Sequence, residues 1–104
     1  MSGAPPALDP VIHPPARLTV AAALAAATEA EFAFLREAAG VSDSVLSKHL
    51  AALQEAGYVK LRKAAFEGRQ RTWAALTARG RKAFAGHVAA LQALAGAAQR
   101  MAAE

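Results

Sequence analysis

Residues 40–57 read GVSDSVLSKHLAALQEAG, and the order of residue types in this stretch specifies a tight turn followed by an amphipathic helix. Gly40 permits the turn after a preceding helix, Val41 plugs the angle between the two helices, and Ser42 is placed to cap the backbone N–H groups that open the second. Asp43 suits the positive end of that helix. At 100° per residue, Leu46, Leu50 and Leu53 form one narrow apolar stripe, which leaves Ser44, Ser47, Lys48, Ala51 and Glu55 on or near the opposite side. A capped helix with an exposed serine and lysine is by itself ordinary protein surface. An outer face that begins with small hydrogen-bonding residues is also what approach to base edges requires, and the residues downstream decide between the two.

Gly57 ends the helix. Residues 58–63 (YVKLRK) then alternate as a strand, with Val59 and Leu61 on one side and Lys60 and Arg62 on the other. A loop holding Glu67 and Gly68 follows, and residues 71–76 (RTWAAL) read as a returning strand. Helix, turn, helix and basic hairpin is the order of a winged helix. Strict alternation places Trp73 and Leu76 on opposite faces, so Trp73 is part-exposed unless a bulge intervenes. In a small domain such a tryptophan more often packs over a helix end than binds a ligand. Phe66 is either a contact at the wing tip or an anchor folding the wing back.

The run SDSVLSKHLAALQEAGYV, the basic hairpin and the closing LTARG at residues 76–80 together resemble the MarR and ArsR classes of winged-helix transcriptional regulators, closest to their short single-domain members. The resemblance covers residues 10–90. It implies a mainly α fold with a small β-hairpin, namely a winged helix-turn-helix plus a long C-terminal helix. It also implies sequence-specific binding of double-stranded DNA as a homodimeric transcriptional regulator, a repressor, with the helix from Asp43 in the major groove and the hairpin on the backbone or minor groove. A small-molecule effector of unknown identity belongs to the same expectation. ArsR-type metal sensors carry a cysteine pair near the recognition helix, and this chain has none, so metal sensing of that kind is not supported. A winged-helix module for protein assembly, without DNA binding, is the alternative, and it requires an apolar patch where the DNA reading requires cations.

At 104 residues the chain is expected to form one domain, organised as an N-terminal arm (1–14), a winged helix-turn-helix (15–77) and a C-terminal dimerisation helix (78–104). Alanine makes up 31 positions, which favours helix but contributes little apolar area, so the core falls to scattered Leu, Val and Phe. The net charge of +4 is unevenly spread: Lys60, Arg62, Lys63, Arg69, Arg71, Arg79, Arg81 and Lys82 face only Glu67 between residues 60 and 82. A local excess beside a candidate recognition helix is the footprint of phosphate contact. Position assigns Ser42, Ser44, Ser47 and Lys48 to the DNA-facing side of the helix, with Lys63, Arg69 and Arg71 on a flexible loop supplying phosphate affinity. No long apolar run or leader-like segment is seen, which gives the expectation of a cytoplasmic protein with no membrane partner.

Ahead of the core stretch, residues 1–9 read as loose, with Leu8, Val11 and Ile12 available to pack on a partner subunit. His13-Pro14-Pro15 opens a helix running to about Ala27, with Leu18, Val20, Ala21 and Leu24 buried. Thr28 and Glu31 have capping-box spacing, but the resemblance favours a short strand near Phe32 that pairs with the hairpin. Residues 33–39 form the first helix of the pair, with Leu35 and either Phe34 or Ala38 facing inward. Thr77 caps the last helix, in which Phe84, His87, Leu91, Leu94, Ala98 and Met101 are spaced as a heptad seam that a second copy of the chain would cover. The three histidines His13, His49 and His87 are far apart in sequence, with no acidic or histidine partner at ligand spacing, so no metal site is expected. There is no phosphate-binding glycine loop and no nucleophile with an evident base, and neither a cofactor nor catalysis is expected.

Overall fold

The computed structural model describes residues 7–103, with elements in the order α1 (Pro15–Ala25), β1 (Ala30–Glu31), α2 (Phe32–Ala39), α3 (Asp43–Glu55), β2 (Val59–Phe66), β3 (Arg69–Leu76) and α4 (Ala78–Ala103). This is the winged helix-turn-helix with a long last helix that the sequence implies. Pro15 occupies the first turn of α1, where its missing N–H costs nothing. The helix ends at Ala25, two residues early, because the chain must extend to pair β1 with β3, Ala30 opposite Ala74 and Glu31 opposite Trp73. Sheet pairing therefore prevails over the capping-box alternative at Thr28 and Glu31. The three strands lie antiparallel in the order β1-β3-β2.

α2 buries Leu35 completely, with Phe32 and Ala39 packed at the edge of the core. Phe34 is 57 % exposed and Ala38 is also exposed, so neither is the second inward residue. The inward face is set by positions 32, 35 and 39, a spacing of three and four. Gly40 closes the helix in the left-handed region, at φ 66°, and the Val41 N–H returns to the Arg36 carbonyl at 3.3 Å. Ser42 then caps α3, its hydroxyl accepting the Val45 N–H at 3.2 Å. Leu46, Leu50 and Leu53 point into the core against Val20, Ala21 and Leu24 of α1, Leu35, and Val59, Ala74 and Leu76 of the sheet.

The β2–β3 register is continuous from Val59 opposite Leu76 to Phe66 opposite Arg69, and Glu67 and Gly68 form a two-residue turn with φ of 51° and 75°. There is no bulge. Alternation therefore holds, and Trp73 lies half-buried on the face away from Leu76, with the Arg62 guanidinium 5.6 Å from its ring centre. The ladder also runs through Ala64, Ala65 and Gln70, so Lys63, Arg69 and Arg71 sit on paired strands rather than on a flexible loop. A two-residue turn leaves no room for a loop, whatever the weak strand preference of alanine.

The LTARG step has a specific physical reason. Thr77 caps α4 by accepting the Gly80 N–H at 3.0 Å, while its hydroxyl donates to the Gly57 carbonyl at 2.6 Å and its N–H to the Tyr58 carbonyl at 3.0 Å. The start of α4 is thereby drawn onto the chain that leaves α3. A Cβ at position 80 would lie 2.0 Å from the Tyr58 carbonyl oxygen, so only glycine allows the approach. Arg81 continues the docking by reaching the Ala25 and Ala27 carbonyls at the end of α1.

α4 faces two ways. Its first half packs on the domain: Phe84 lies against the core, His87 is 1 % exposed and Leu91 is half-buried. His87 is therefore corrected from a seam residue to an interior one, because the segment before α1 covers it. From Gln92 to the last described residue only Gly96 and Ala97 are part-buried, and Leu94 and Met101 are 56 % and 74 % exposed. The N-terminal segment is corrected likewise, since Ile12 is 1 % exposed and sits in the core of its own chain with Val11 beside it. The part of the arm before residue 7 lies outside the described residues.

Candidate nucleic-acid interface

The Ser42 cap and the Gly40 turn fix where α3 begins, and the buried leucine stripe fixes its rotation. The same rotation turns Ser44, Ser47 and Lys48 outward, and all three are exposed, as is Ser42. Arg36 at the end of α2 holds Asp43 at 2.8 Å across the turn, bracing the first turn of α3. Both groups are well solvated, so the pair contributes little stability and its role is orientation.

Beside this helix start lies an open groove of about 660 Å³, walled on one side by Arg36, Asp43 and Ser47 and on the other by Arg69, Gln70, Arg71 and Thr72 of the wing, with Phe32 and Ala33 also lining it. The groove brings Ser47 together with Arg69 and Arg71. Ser42, Ser44, Lys48 and Lys63 are exposed but do not line it. Gln70 and Thr72 were not legible as site residues, because neither is charged and their position depends on β3 reaching as far as Arg69.

The charges in the groove are not equivalent. Arg71 donates to both carboxylate oxygens of Glu31, at 2.7 and 3.2 Å, and its guanidinium lies 5.0 Å from the Phe66 ring centre. Arg62 is similarly committed to Glu29, at 2.5 Å, while stacking on Trp73. Lys48, Lys63 and Arg69 have no ion-pair partner among the described residues. The basic surplus in the sequence thus divides into paired arginines that stiffen the outer sheet face and cations still available to an anion. Phe66, at 51 % exposure, is both a stacking partner for Arg71 and part of the exposed wing tip. The signal that would have separated the two arginine classes is the β1 pairing, which sets Glu31 opposite Trp73 and thus diagonal to Arg71.

Among the described residues no group of three or more histidine, cysteine, aspartate or glutamate side chains is placed to hold a metal ion, and no helix is long and apolar enough to cross a membrane.

Comparison with known proteins identifies the family and supports the fold. Residues 16–95 match the winged helix DNA-binding domain family. An uncharacterized protein from Methanocaldococcus jannaschii is 33 % identical over 72 residues, covering 69 % of this chain and 78 % of its own length. Among solved structures, a transcriptional regulator homologue from Pyrococcus horikoshii OT3 superposes with a TM-score of 0.78 at 23 % identity, covering 84 % of this chain and 86 % of that one. A MarR family transcriptional regulator from Silicibacter pomeroyi DSS gives 0.66 at 22 % identity over 80 % of this chain, which spans 54 % of that protein. At these identities the two structures speak for the fold.

Proposed function

Since this chain belongs to the winged helix DNA-binding domain family, we propose that it binds double-stranded DNA sequence-specifically as a homodimeric transcriptional regulator, acting as a repressor in the cytoplasm. The observation that carries this reading is the groove lined by both Ser47 of α3 and Arg69 of the wing, beside a helix face of small and cationic residues. The first turns of α3 enter the major groove, where Ser44, Ser47 and Lys48 read base edges and Ser42 keeps the helix start in place. Lys63 and Arg69 meet phosphates. Arg71, held by Glu31, orients the wing and supports a phosphate contact rather than supplying a full free charge. A protein-assembly role would need an apolar patch here, and the groove walls are charged and polar. Leu94, Ala98 and Met101 of α4, with Phe84 and Leu91 closer to the domain, form the face that a second copy covers. Release of DNA by a small effector fits the same reading, and the cavity of about 530 Å³ beside Tyr58, Arg79 and Lys82 is large enough for one.

Two substitutions separate the roles. Arg69→Ala should weaken specific and random duplexes about equally and reduce the slope of log affinity against log salt by about 2 for a dimer, one phosphate per chain. Ser47→Ala should leave the salt slope unchanged and cost about tenfold in discrimination between the preferred and random sequences. Fluorescence anisotropy with both duplexes at several salt concentrations measures both quantities. An Arg69→Ala protein that changes its sequence preference more than its total affinity would contradict the assignment.

A further inference from the structure

All three histidines of the chain meet at the turn at residues 9–13 that precedes α1: His13 lies within it, His87 contacts it directly and His49 reaches it through Arg17. The Asp9 N–H donates to Nδ1 of the buried His87 at 2.8 Å. A ring nitrogen that accepts carries no proton, so neutral His87 has its proton on Nε2, and Nε2 faces Nδ1 of His13 at 3.4 Å. That tautomer leaves His87 no lone pair toward His13, which is why the pair is not a metal site. The third histidine acts through Arg17, whose guanidinium donates both to the Val11 carbonyl at 3.2 Å and to Nδ1 of His49 at 3.1 Å. The Asp9 carboxylate is itself occupied, accepting from the Tyr58 hydroxyl at 2.6 Å and from the Val11 N–H at 2.8 Å. The acceptor nitrogens shown by geometry are Nδ1 of His87, toward the Asp9 N–H, and Nδ1 of His49, toward Arg17.

We propose that the turn at residues 9–13 is an acid-released clasp, held on α4 by neutral His87 and detached when His87 is protonated, with protonation of His13 and His49 acting in the same direction. A proton on His87 Nδ1 sets N–H against the Asp9 N–H inside a site that is 1 % exposed. A proton on His13 Nδ1 sets N–H against His87 Nε2–H. The charged groups around His87 are of both signs. From its own helix, Arg79 and Lys82 line the adjoining cavity and oppose a further positive charge. From the N-terminal segment, the Asp9 carboxylate carries a negative charge, but its oxygens accept from the Val11 N–H and, from the turn after α3, the Tyr58 hydroxyl, and not from a His87 ring nitrogen. The hydrogen bond to Asp9, with burial, raises the Tyr58 phenol above its usual range.

His49 supplies independent support, since burial and then the facing Arg17 charge lower its pKa from the ordinary value. The folded chain thus binds this proton less well than the unfolded chain does. Its contribution is complete above about pH 6.5 and is lost as pH falls through the folded value. Release uncovers His87 and opens the cavity between the N-terminal segment and α4, and the clasp is independent of whether the chain binds DNA.

Nuclear magnetic resonance on the whole chain tests this. At neutral pH the His87 ring should show the Nε2–H tautomer, and the Asp9 amide should be protected from exchange. Between pH 7.5 and 5 the Asp9 protection factor should fall about tenfold or more while the Leu50 and Leu53 amides keep theirs. His87→Asn retains an acceptor oxygen near the Nδ1 position and does not titrate, so its Asp9 amide should stay protected at the lower pH. His13→Gln, at an exposed position, should fold normally and show a weaker acid response than the wild type. The proposal is overturned if His87 carries its proton on Nδ1 at neutral pH, if wild-type Asp9 protection is unchanged at pH 5, or if it disappears only together with that of Leu50 and Leu53.

Discussion

Gly80→Ala should destabilise the fold by about 3 kcal/mol or more, because the added Cβ would stand 2.0 Å from the Tyr58 carbonyl oxygen and the clash is with backbone, which has no rotamer to change. Relief requires α4 to move away, breaking the hydrogen bonds of Thr77 to Gly57 and Tyr58 that dock it. For a domain of this size the loss corresponds to a fall in Tm of about 15 °C, a large share of the ordinary stability of 5–15 kcal/mol. Gly86→Ala, two turns along the same helix, is the control. Nothing lies within 4 Å of its Cβ position, and exchanging a helical glycine for alanine should stabilise by up to about 1 kcal/mol. Thermal unfolding of the two variants beside the wild type gives the comparison, and equal Tm values would show that α4 does not sit where described.

The LTARG pattern shows why so much of this fold is legible from sequence and where legibility stops. Local rules suffice for the Ser42 cap, the Gly40 turn and the leucine stripe of α3, because each depends on residues within one or two turns of one another, whereas the two-residue turn at Glu67 and Gly68 reads as a longer loop because alanine at 64 and 65 gives little strand signal. The reason for Gly80 is not local, as it needs the carbonyl of Tyr58, a residue brought close only by folding. The same limit applies at the site. Position along the chain reveals a basic hairpin but not that Glu29 and Glu31 occupy Arg62 and Arg71, since that depends on β1 pairing with β3. His87 shows it most plainly. Its heptad spacing is real, yet the segment before α1 covers that part of the stripe, and periodicity does not tell an intramolecular cover from a second chain.

Leu94→Asp combined with Met101→Asp should convert a dimeric chain to a monomer. Both side chains are exposed in the single chain, so the domain loses no core contact and its Tm as a monomer should be little changed. Burying each at an interface is worth about 1.5–3 kcal/mol, and an aspartate buried there is unpaired, so the dimer should weaken about a hundredfold or more. Analytical ultracentrifugation at about ten micromolar and above, beside circular dichroism for folding, measures both effects. A wild-type chain that remains monomeric throughout, or a double variant that still dimerises fully, would contradict the assembly drawn from α4.

Titration of the wild-type chain against duplex DNA between 50 and 200 mM salt shows whether the α3 and wing surface binds DNA. Lys63 and Arg69 provide two unpaired phosphate-contacting cations per chain, hence contact with about four phosphates in a dimer, and affinity should fall about a hundredfold across that range. The preferred duplex should be an imperfect palindrome with half-sites about 34 Å apart. Affinity no higher than that of a neutral control protein at the lowest salt, or an affinity insensitive to salt, would mean that this surface does not bind DNA.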